Sequence, residues 1–324
     1  MSGVKRDQVL ALVRAHFAGE EERFVTLCRQ VEAEAAGKGH RDFAYQLRTA
    51  VERAGLSPRM VALPQATPGL LEQRLPEAGL SALVLPAALR EALEGVVREH
   101  QRTAELLAAG FAPARRLLLK GPPGTGKTSS AAALAHELRM PLVTARLASL
   151  VDSHMGETGK RVRQVLDAFR AAPCVLLVDE LDAVGHARAK GHDSSASVEN
   201  SRIINTLLQE LDASQNARGV LVAATNLPEA LDAALVRRFD VVLEYGLPDA
   251  AGCARVAQAC CARVPGAEAV EWAAVGYAAD GCSPADVVRL ARGAGKAAVL
   301  SGQPLTTEAL LAAFRPGAAG EPRP

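Results

Sequence analysis

One short stretch constrains the fold and the chemistry of this chain more than any other. Residues 121–128 read GPPGTGKT, which fits the spacing G-x-x-x-x-G-K-[ST] of a phosphate-binding loop. The apolar run 116–119 before it reads as a buried strand, and the Ala-rich stretch 129–138 after it favours a helix. A loop of this type lies between a strand and a helix, so the flanking segments agree with it. The sequence therefore predicts a nucleotide-binding site.

The residue types of this loop suit the binding of a polyphosphate. Its glycines permit a tight turn that points backbone N–H groups inward, and the following helix adds its positive N-terminal end. Lys127 is predicted to reach the β- and γ-phosphates, and the Thr128 hydroxyl to be a ligand of Mg²⁺. The predicted nucleotide contacts are Gly121, Pro122, Pro123, Gly124, Thr125, Gly126, Lys127, Thr128 and Ser129.

A second apolar run ends in two acids. Residues 175–180 read VLLVDE, a strand followed by carboxylates. We expect Asp179 to assist the metal ion and Glu180 to polarise the attacking water, because phosphoryl transfer to water needs both groups beside the phosphates. The predicted metal ligands are therefore Thr128 and Asp179.

Two further polar positions follow a third apolar run. Residues 222–226 read VAATN, so Asn226 follows a predicted strand and is a candidate to orient the same water or contact the γ-phosphate. Residues 235–240 read LVRRFD and contain Arg237 and Arg238. A guanidinium suits the transition-state charge of a phosphoryl group, including one bound by a neighbouring subunit.

Composition excludes several other classes of protein. With 49% hydrophobic residues, the 324-residue chain can form a large core. A net charge of +1 and only 3% aromatic residues make nucleic acid an unexpected partner. The six cysteines form no Cys-x-x-Cys pair, which favours small buried residues over zinc ligands or disulfides. No signal peptide and no membrane-spanning run are recognised, so we expect a cytoplasmic protein.

The chain divides into five predicted parts. Residues 1–56 read as short helices that form either a solvated bundle or a recruitment module for a partner or substrate, and 57–79 read as a Pro-rich linker. Residues 80–248 alternate strands with helices, 249–315 are all-helical, and 316–324 are predicted to be a disordered tail.

The central part predicts an α/β fold. Five strands are expected, at 116–119, 142–146, 174–179, 220–225 and 241–245, with helices that include 87–107, 158–170 and 198–211. Apolar strands joined by helical crossovers predict a parallel sheet covered by helices on both faces.

Together, the motifs GPPGTGKT, VLLVDELD, AATN and LVRRFD resemble those of the AAA ATPases, specifically the single-ring, protein-remodelling branch. The resemblance covers about residues 80–315 and implies a P-loop NTPase fold with ATP and Mg²⁺ as cofactors. It also implies ATP-promoted assembly into a ring, usually a hexamer. Arg237 and Arg238 are then arginine fingers that act on a neighbour's site, and Asn226 is a sensor of the γ-phosphate.

The same resemblance assigns further nucleotide contacts. It implies that 249–315 form a helical lid, in which Gly281, Ser283 and Ala285 belong to a G-x-S-x-A-D segment that contacts the nucleotide. Val84 matches the segment that flanks adenine. The motif LVRRFD lacks the Pro-Gly often found between the two arginines, so we favour Arg238 as the main finger.

The stretch SHMGET, at 153–158, matches the loop with which family members grip a polypeptide in the central pore. The implied substrate contacts are His154, Met155 and Gly156. His154 stands where the family has an aromatic residue, which weakens the expectation of forceful unfolding and leaves an ordinary surface loop as the alternative. Residues 185–197 would form a second pore loop or a disordered segment.

The resemblance also bears on partners. The whole chain is similar to bacterial AAA ATPases encoded beside subtilisin-like serine proteases, which implies delivery of a protein client to such a protease, or its control. Two alternatives stay open. One is a nucleotide-gated interaction switch, and the other is a motor or loader that acts on DNA.

Overall fold

The structure is a computed structural model, and it describes residues 6–17, 21–40, 42–47, 71–146, 158–171, 173–182, 209 and 219–315. The chain separates into two compact units, 1–59 and 60–324.

The N-terminal unit is helical. Helix α1 spans Arg6–Phe17 and α2 spans Glu21–Gly37, and residues 42–47 are also helical. The Gln8 amide donates a hydrogen bond of 2.6 Å to Glu34, which joins the two long helices. Among the residues of this unit whose burial the structure describes, the buried side chains are mostly small: Ala15, Cys28, Val31, Ala35 and Ala44. In contrast, Val9, Leu10 and Val13 on α1 are nearly half exposed.

The second unit contains a sheet of six strands in the order β1-β3-β4-β5-β2-β6. The strands are β1 (Leu71–Arg74), β2 (Arg116–Lys120), β3 (Leu142–Arg146), β4 (Val175–Asp179), β5 (Val220–Thr225) and β6 (Val241–Glu244). Strands β2 to β6 pair in parallel, and β1 pairs antiparallel with β3. The five predicted strands are confirmed to within a residue at either end.

The sixth strand corrects the prediction of a linker over 57–79. Residues 71–74 read LEQR and pair with the edge of the sheet, from Leu71 opposite Ala145 to Arg74 opposite Leu142. This strand is short and polar, and its residues alternate between half-buried and exposed. An edge strand of this kind lacks the apolar run by which the buried strands are recognised.

Helices cover both faces of the sheet, as predicted. The described helices of this unit that precede the last strand are α3 (Ala87–Gln101), α4 (Thr103–Ala108), α5 (Lys127–Glu137), α6 (Thr158–Ala171) and α7 (Ala233–Val236). Alternate residues of each strand face opposite sides, so Leu118 and Leu176 pack with Phe169 of α6, whereas Leu117 and Leu177 belong to the other apolar cluster. That second cluster includes the buried face of α3: Leu89, Leu93, Val96 and Val97.

The single helix predicted over 87–107 is wrong, because the structure breaks it at Arg102. Arg102 has φ −108° and ψ 26°, outside the helical range. The Thr103 hydroxyl donates a hydrogen bond of 2.8 Å to the carbonyl of His100. A hydroxyl that takes a backbone acceptor in this way competes with the helical ladder.

The C-terminal part is all-helical, as predicted. It consists of α8 (Ala250–Cys261), α9 (Trp272–Ala278), α10 (Pro284–Ser301) and α11 (Thr307–Ala313), with a 3₁₀ turn at Ala267–Ala269. Side chains of Asp249, Ser283 and Thr306 cap the N-termini of α8, α10 and α11.

The structure also bears on the predictions about the cysteines and about membrane-spanning segments. All six cysteines are free thiols, and four of them are buried. Burial raises the pKa of Cys174 to about 12, so this thiol is inert at neutral pH. Among the helices that the structure describes, none is both long and apolar enough to cross a membrane.

Candidate functional site

The loop 121–128 leaves the carboxyl end of β2 and enters α5. Gly121 has φ +143° and Gly124 has φ +75°. A Cβ on Gly121 would lie 2.0 Å from the carbonyl oxygen of Tyr245, and a Cβ on Gly124 would lie 2.7 Å from Ser283 Oγ. Both positions therefore require glycine for backbone conformation and for space.

Lys127 is the first residue of α5, directly after the turn of this loop. Its side chain is only 7% exposed, and its Nζ donates hydrogen bonds of 2.6 and 2.7 Å to the carbonyl oxygens of Gly121 and Pro122. Burial lowers the pKa of Lys127 below its usual value, while the charges of Asp179 and Asp182 act in the opposite direction. A buried ammonium held at a helix N-terminus is a favourable site for phosphate oxygens.

The two predicted metal ligands lie together. Thr128 Oγ1 donates a hydrogen bond of 3.2 Å to Asp179 Oδ2, which joins the first turn of α5 to the end of β4. A hydroxyl and a carboxylate in one place are the kind of oxygen ligands that Mg²⁺ takes in phosphate-binding proteins. The residues therefore fit a magnesium ion.

Glu180 follows Asp179 in an unusual backbone conformation. Its φ is +59°, in the left-handed region that costs a non-glycine residue about 1–2 kcal/mol. The backbone N–H of Glu180 donates a hydrogen bond of 3.0 Å to Asp179 Oδ1, and that of Leu181 donates one of 2.9 Å to the carbonyl of Ala224. These bonds hold the turn, and the carboxylate of Glu180 is exposed at the cavity described below.

A third acid, which the sequence analysis missed, positions the end of the neighbouring strand. Asp182 Oδ1 accepts hydrogen bonds of 3.0 Å from Thr225 Oγ1 and from the backbone N–H of Asn226. The Thr225 hydroxyl in turn accepts a hydrogen bond of 3.1 Å from the N–H of Leu227. Asn226 is thereby fixed beside the two acids. The last Asp of VLLVDELD was the available signal for this role.

These groups surround one cavity of about 680 Å³. The predicted site residues among its lining are Val84, Pro123, Gly124, Thr125, Gly126, Lys127, Thr128, Ser129, Asp179, Glu180, Asn226 and Ala285. Sequence reasoning missed the opposite wall, which α8 and α10 supply with Val256, Ala259, Cys260, Val288 and Arg292. The structure thus brings the predicted phosphate, metal and water-activating groups to one place.

The helical part contacts the loop directly. The N–H of Ala285 donates a hydrogen bond of 3.1 Å to the carbonyl of Gly124. Ser283 caps α10 by accepting from the N–H of Asp286, and it is the side chain that leaves no room for a Cβ on Gly124. Gly281 has φ +79° and precedes this cap. Gly281, Ser283, Gly121 and Pro122 are not among the described residues that line the cavity.

The two arginines lie elsewhere, since neither Arg237 nor Arg238 belongs to the described lining of the cavity. They follow α7 and lie between Leu235 and Phe239, whose side chains are buried in the core. Arg237 is exposed, and the Arg238 guanidinium donates a hydrogen bond of 3.0 Å to the carbonyl of Ala234.

Asp240 fixes this arginine segment to the amino end of β2. Its Oδ2 accepts hydrogen bonds of 2.9 Å from the backbone N–H groups of Arg115 and Arg116, and its Oδ1 lies 2.6 Å from the Arg116 guanidinium. Burial opposes the charge of Asp240, but these hydrogen bonds prevail and hold its pKa below the usual value. The phosphate loop leaves the other end of β2, and a strand of this length spans about 16 Å. The arginines therefore lie at the end of the sheet remote from their own cavity.

Several predicted residues lie outside the described part of the chain. They are the pore-loop candidates His154, Met155 and Gly156, the second loop at 185–197, the helix expected over 198–211 apart from residue 209, the first part of the linker at 57–70 and the tail at 316–324.

Comparisons with known proteins agree with this site. The family model described as "ATPase family associated with various cellular activities (AAA)" matches residues 117–247. A protein of Sinorhizobium fredii described as an uncharacterized AAA family ATPase, y4kL, is 37% identical over 241 residues, which cover 72% of each chain.

Two further relatives match a smaller part or show the fold alone. The ATP-dependent zinc metalloprotease FtsH of Acidothermus cellulolyticus is 40% identical over 199 residues, which cover 60% of this chain and 30% of FtsH. The crystal structure of the FIGL-1 AAA domain superposes with a TM-score of 0.62 at 22% identity, over 76% of this chain and 85% of that domain. The family model, the identity to the Sinorhizobium protein over 72% of each chain and the geometry of the site agree. The chain therefore belongs to the AAA family of ATPases.

Proposed function

We propose that this protein is a ring-forming, Mg²⁺-dependent ATPase that remodels, translocates or delivers a protein client. Hydrolysis of ATP is the reaction of its family. The main support for the proposal is that the phosphate loop, the acidic end of β4 and Asn226 line the same cavity.

Each group has a proposed role in hydrolysis. Lys127 and the backbone of the loop bind the β- and γ-phosphates, and Thr128 with Asp179 holds Mg²⁺. The ion, when bound, neutralises charge on the phosphates. Glu180 accepts a proton from the attacking water, while Asn226, held by Asp182, orients that water. Gly281, Ser283, Ala285 and Val84 frame the nucleotide from the helical part and from the segment before α3.

The position of the arginines supports completion of the site by a second subunit. Arg237 and Arg238 lie at the far end of the sheet, so they are remote from the phosphates bound in their own cavity. In a ring with head-to-tail contacts, each subunit presents one surface to the neighbour's opposite surface. We therefore assign both arginines to the site of the adjacent subunit, with Arg238 as the main finger.

A protein client is supported by two observations. The FtsH relatives are ATP-dependent proteases by name, although the chain spans only 30% of the length of the first of them. The N-terminal unit is compact by itself and exposes Val9, Leu10 and Val13 on one helix, a surface suited to recruiting a partner. In this proposal His154, Met155 and Gly156 contact the client in the pore. A subtilisin-like serine protease that receives the client belongs to the same proposal, as does a cytoplasmic location, which the free thiols support.

The test is the mass in solution of a Glu180→Gln variant, with and without ATP and Mg²⁺. This variant retains the shape of the site but lacks the base, so it should hold ATP and stay assembled. We expect ATP to convert a small species into one of about six subunits, whereas Lys127→Ala should stay small with or without ATP. ATP binding without assembly would contradict the ring.

The exposed face of α1 also favours a second candidate, a nucleotide-gated switch that times docking of a partner. Deletion of residues 1–56 separates the two. A threading motor should keep its basal ATPase rate and lose only recruitment, whereas a switch should lose nucleotide-regulated binding of the partner. Stimulation of turnover by DNA rather than by protein would contradict both and favour a motor that acts on DNA.

A further inference from the structure

The cavity has two chemically different ends. Lys127, Asp179 and the phosphate loop form the polar end. The opposite end is mostly aliphatic, with lining residues Leu83, Val84, Leu85, Val256, Ala259, Cys260, Val288 and Arg292. Among the described lining residues none is aromatic, and Arg292 carries the only charge at this second end.

The spacing along α10 places Arg292 away from the phosphates. Ala285 touches the loop through its hydrogen bond to Gly124, Val288 follows after about one turn, and Arg292 after about two. At a rise of about 1.5 Å per residue, Arg292 lies about 10 Å along the helix from the loop contact. With the phosphates on the loop, this position lies beside the nucleoside.

Arg292 is also available for a ligand. Its side chain is exposed, and it makes no hydrogen bond or ion pair within the part of the chain that the structure describes. The preceding arginine on the same helix differs, because Arg289 donates a hydrogen bond of 3.1 Å to Asp286. Thus one arginine of α10 is used within the helix and the other faces the cavity.

We propose that Arg292 binds the nucleoside part of ATP, which deepens the proposed function and rests on it. A guanidinium is flat and carries only donors, so it can stack on the face of a base and donate to ring nitrogens or ribose oxygens. In a cavity end without aromatic side chains, it is the planar group that covers the base. The nucleoside is unchanged by hydrolysis, so this contact stabilises the ground state and the transition state equally.

The test compares the affinity of the full-length Arg292→Ala protein for ATP, ADP and AMP by calorimetry. Since all three ligands share the nucleoside, we expect the dissociation constant to rise by a similar factor for each, about three- to tenfold, with KM for ATP raised and kcat unchanged. Lys296→Ala is the matched control, because it removes a cation one turn further along α10 at an exposed position outside the cavity lining. Its affinities should equal those of the wild type. Arg292→Lys, which keeps the charge but not the plane, should recover part of the loss.

Three results would overturn the inference. Unchanged affinity in Arg292→Ala would show that the side chain does not contact the nucleotide. A loss confined to ATP would place Arg292 on the terminal phosphate instead. Wild-type protein that fails to bind ATP would overturn the proposed function itself, and this inference with it.

Discussion

The two ends of strand β2 differ in what they do. At its carboxyl end, Lys120 leads into the phosphate loop and a cavity that holds Lys127, Asp179 and Glu180. At its amino end, the Arg116 guanidinium forms an ion pair with the carboxylate of Asp240. This contact fixes the segment that carries the two arginines. One end has the cation with the proposed metal ligands and base, and the other has the guanidinium groups of the two arginines.

This difference supports the proposal that one subunit contains two halves of two different sites. A strand of five residues separates the halves by about 16 Å, and the strand is paired on both sides, with β5 and β6, within a packed sheet. Bringing the halves together within one chain would require the core to unfold. Association of a second copy requires no such change, which supports the proposal that the arginine end lies against a neighbour's phosphates.

The largest effect is expected from the arginine end. Arg238→Ala should lower the rate of ATP hydrolysis by about a thousandfold, because an arginine finger stabilises charge that develops only in the transition state. Affinity for ATP should change little, since the cavity of the same subunit is intact. Steady-state turnover and calorimetry measure the two quantities, with the exposed Arg263→Ala as a control of equal charge change. A large loss of ATP affinity in Arg238→Ala would place this arginine in its own cavity.

The next effect is expected from the cavity end. Glu180→Gln should lower turnover by a few hundredfold, about the contribution of a general base, while ATP binding is retained. The comparison is with Glu268→Gln, an exposed acid in the helical part that should behave as the wild type. Near-normal turnover in Glu180→Gln would remove this residue from the mechanism.

A smaller effect is expected from the link between β4 and β5. Asp182→Ala removes the acceptor for Thr225 and Asn226, so kcat should fall by about tenfold while Kd for ATP stays within about twofold. Asp182→Asn keeps a side-chain oxygen and should recover most of the rate. Equal losses in both variants would point to the charge of Asp182 rather than to its positioning of Asn226.

The smallest effect on activity is expected from Asp240, and its main effect is on stability. Asp240→Asn should lower the free energy of unfolding by about 1–2 kcal/mol at pH 7, because the hydrogen bonds to Arg115 and Arg116 lose their charge assistance. The pKa of Asp240 is lowered in the fold, so its contribution is full above the unfolded pKa of about 3.9 and is lost as pH falls through the lower folded value. The difference between wild type and variant in urea unfolding should therefore shrink below about pH 4. A difference independent of pH would contradict this assignment.

Sequence patterns predicted local features well and tertiary ones poorly. The glycine loop and the buried strands were found because a short run of residues determines each. Strand β1 was missed because LEQR has no apolar run and forms a strand only at the edge of β3. The role of Asp182 was missed because it depends on β4 lying beside β5. Arg292 was missed for a similar reason, since only the packing of α10 against the loop brings it to the cavity.

The most direct test of two half-sites is a mixing experiment. Arg238→Ala has an intact cavity without a finger, and Glu180→Gln has an intact finger without a base. If the finger acts on a neighbour, an equimolar mixture should regain about a quarter of wild-type turnover, the fraction of interfaces that random association makes complete. The double variant mixed with Arg238→Ala should regain none. Failure of the first mixture to exceed its separate components, at concentrations where mixed rings are shown to form, would contradict completion of the site by a second subunit.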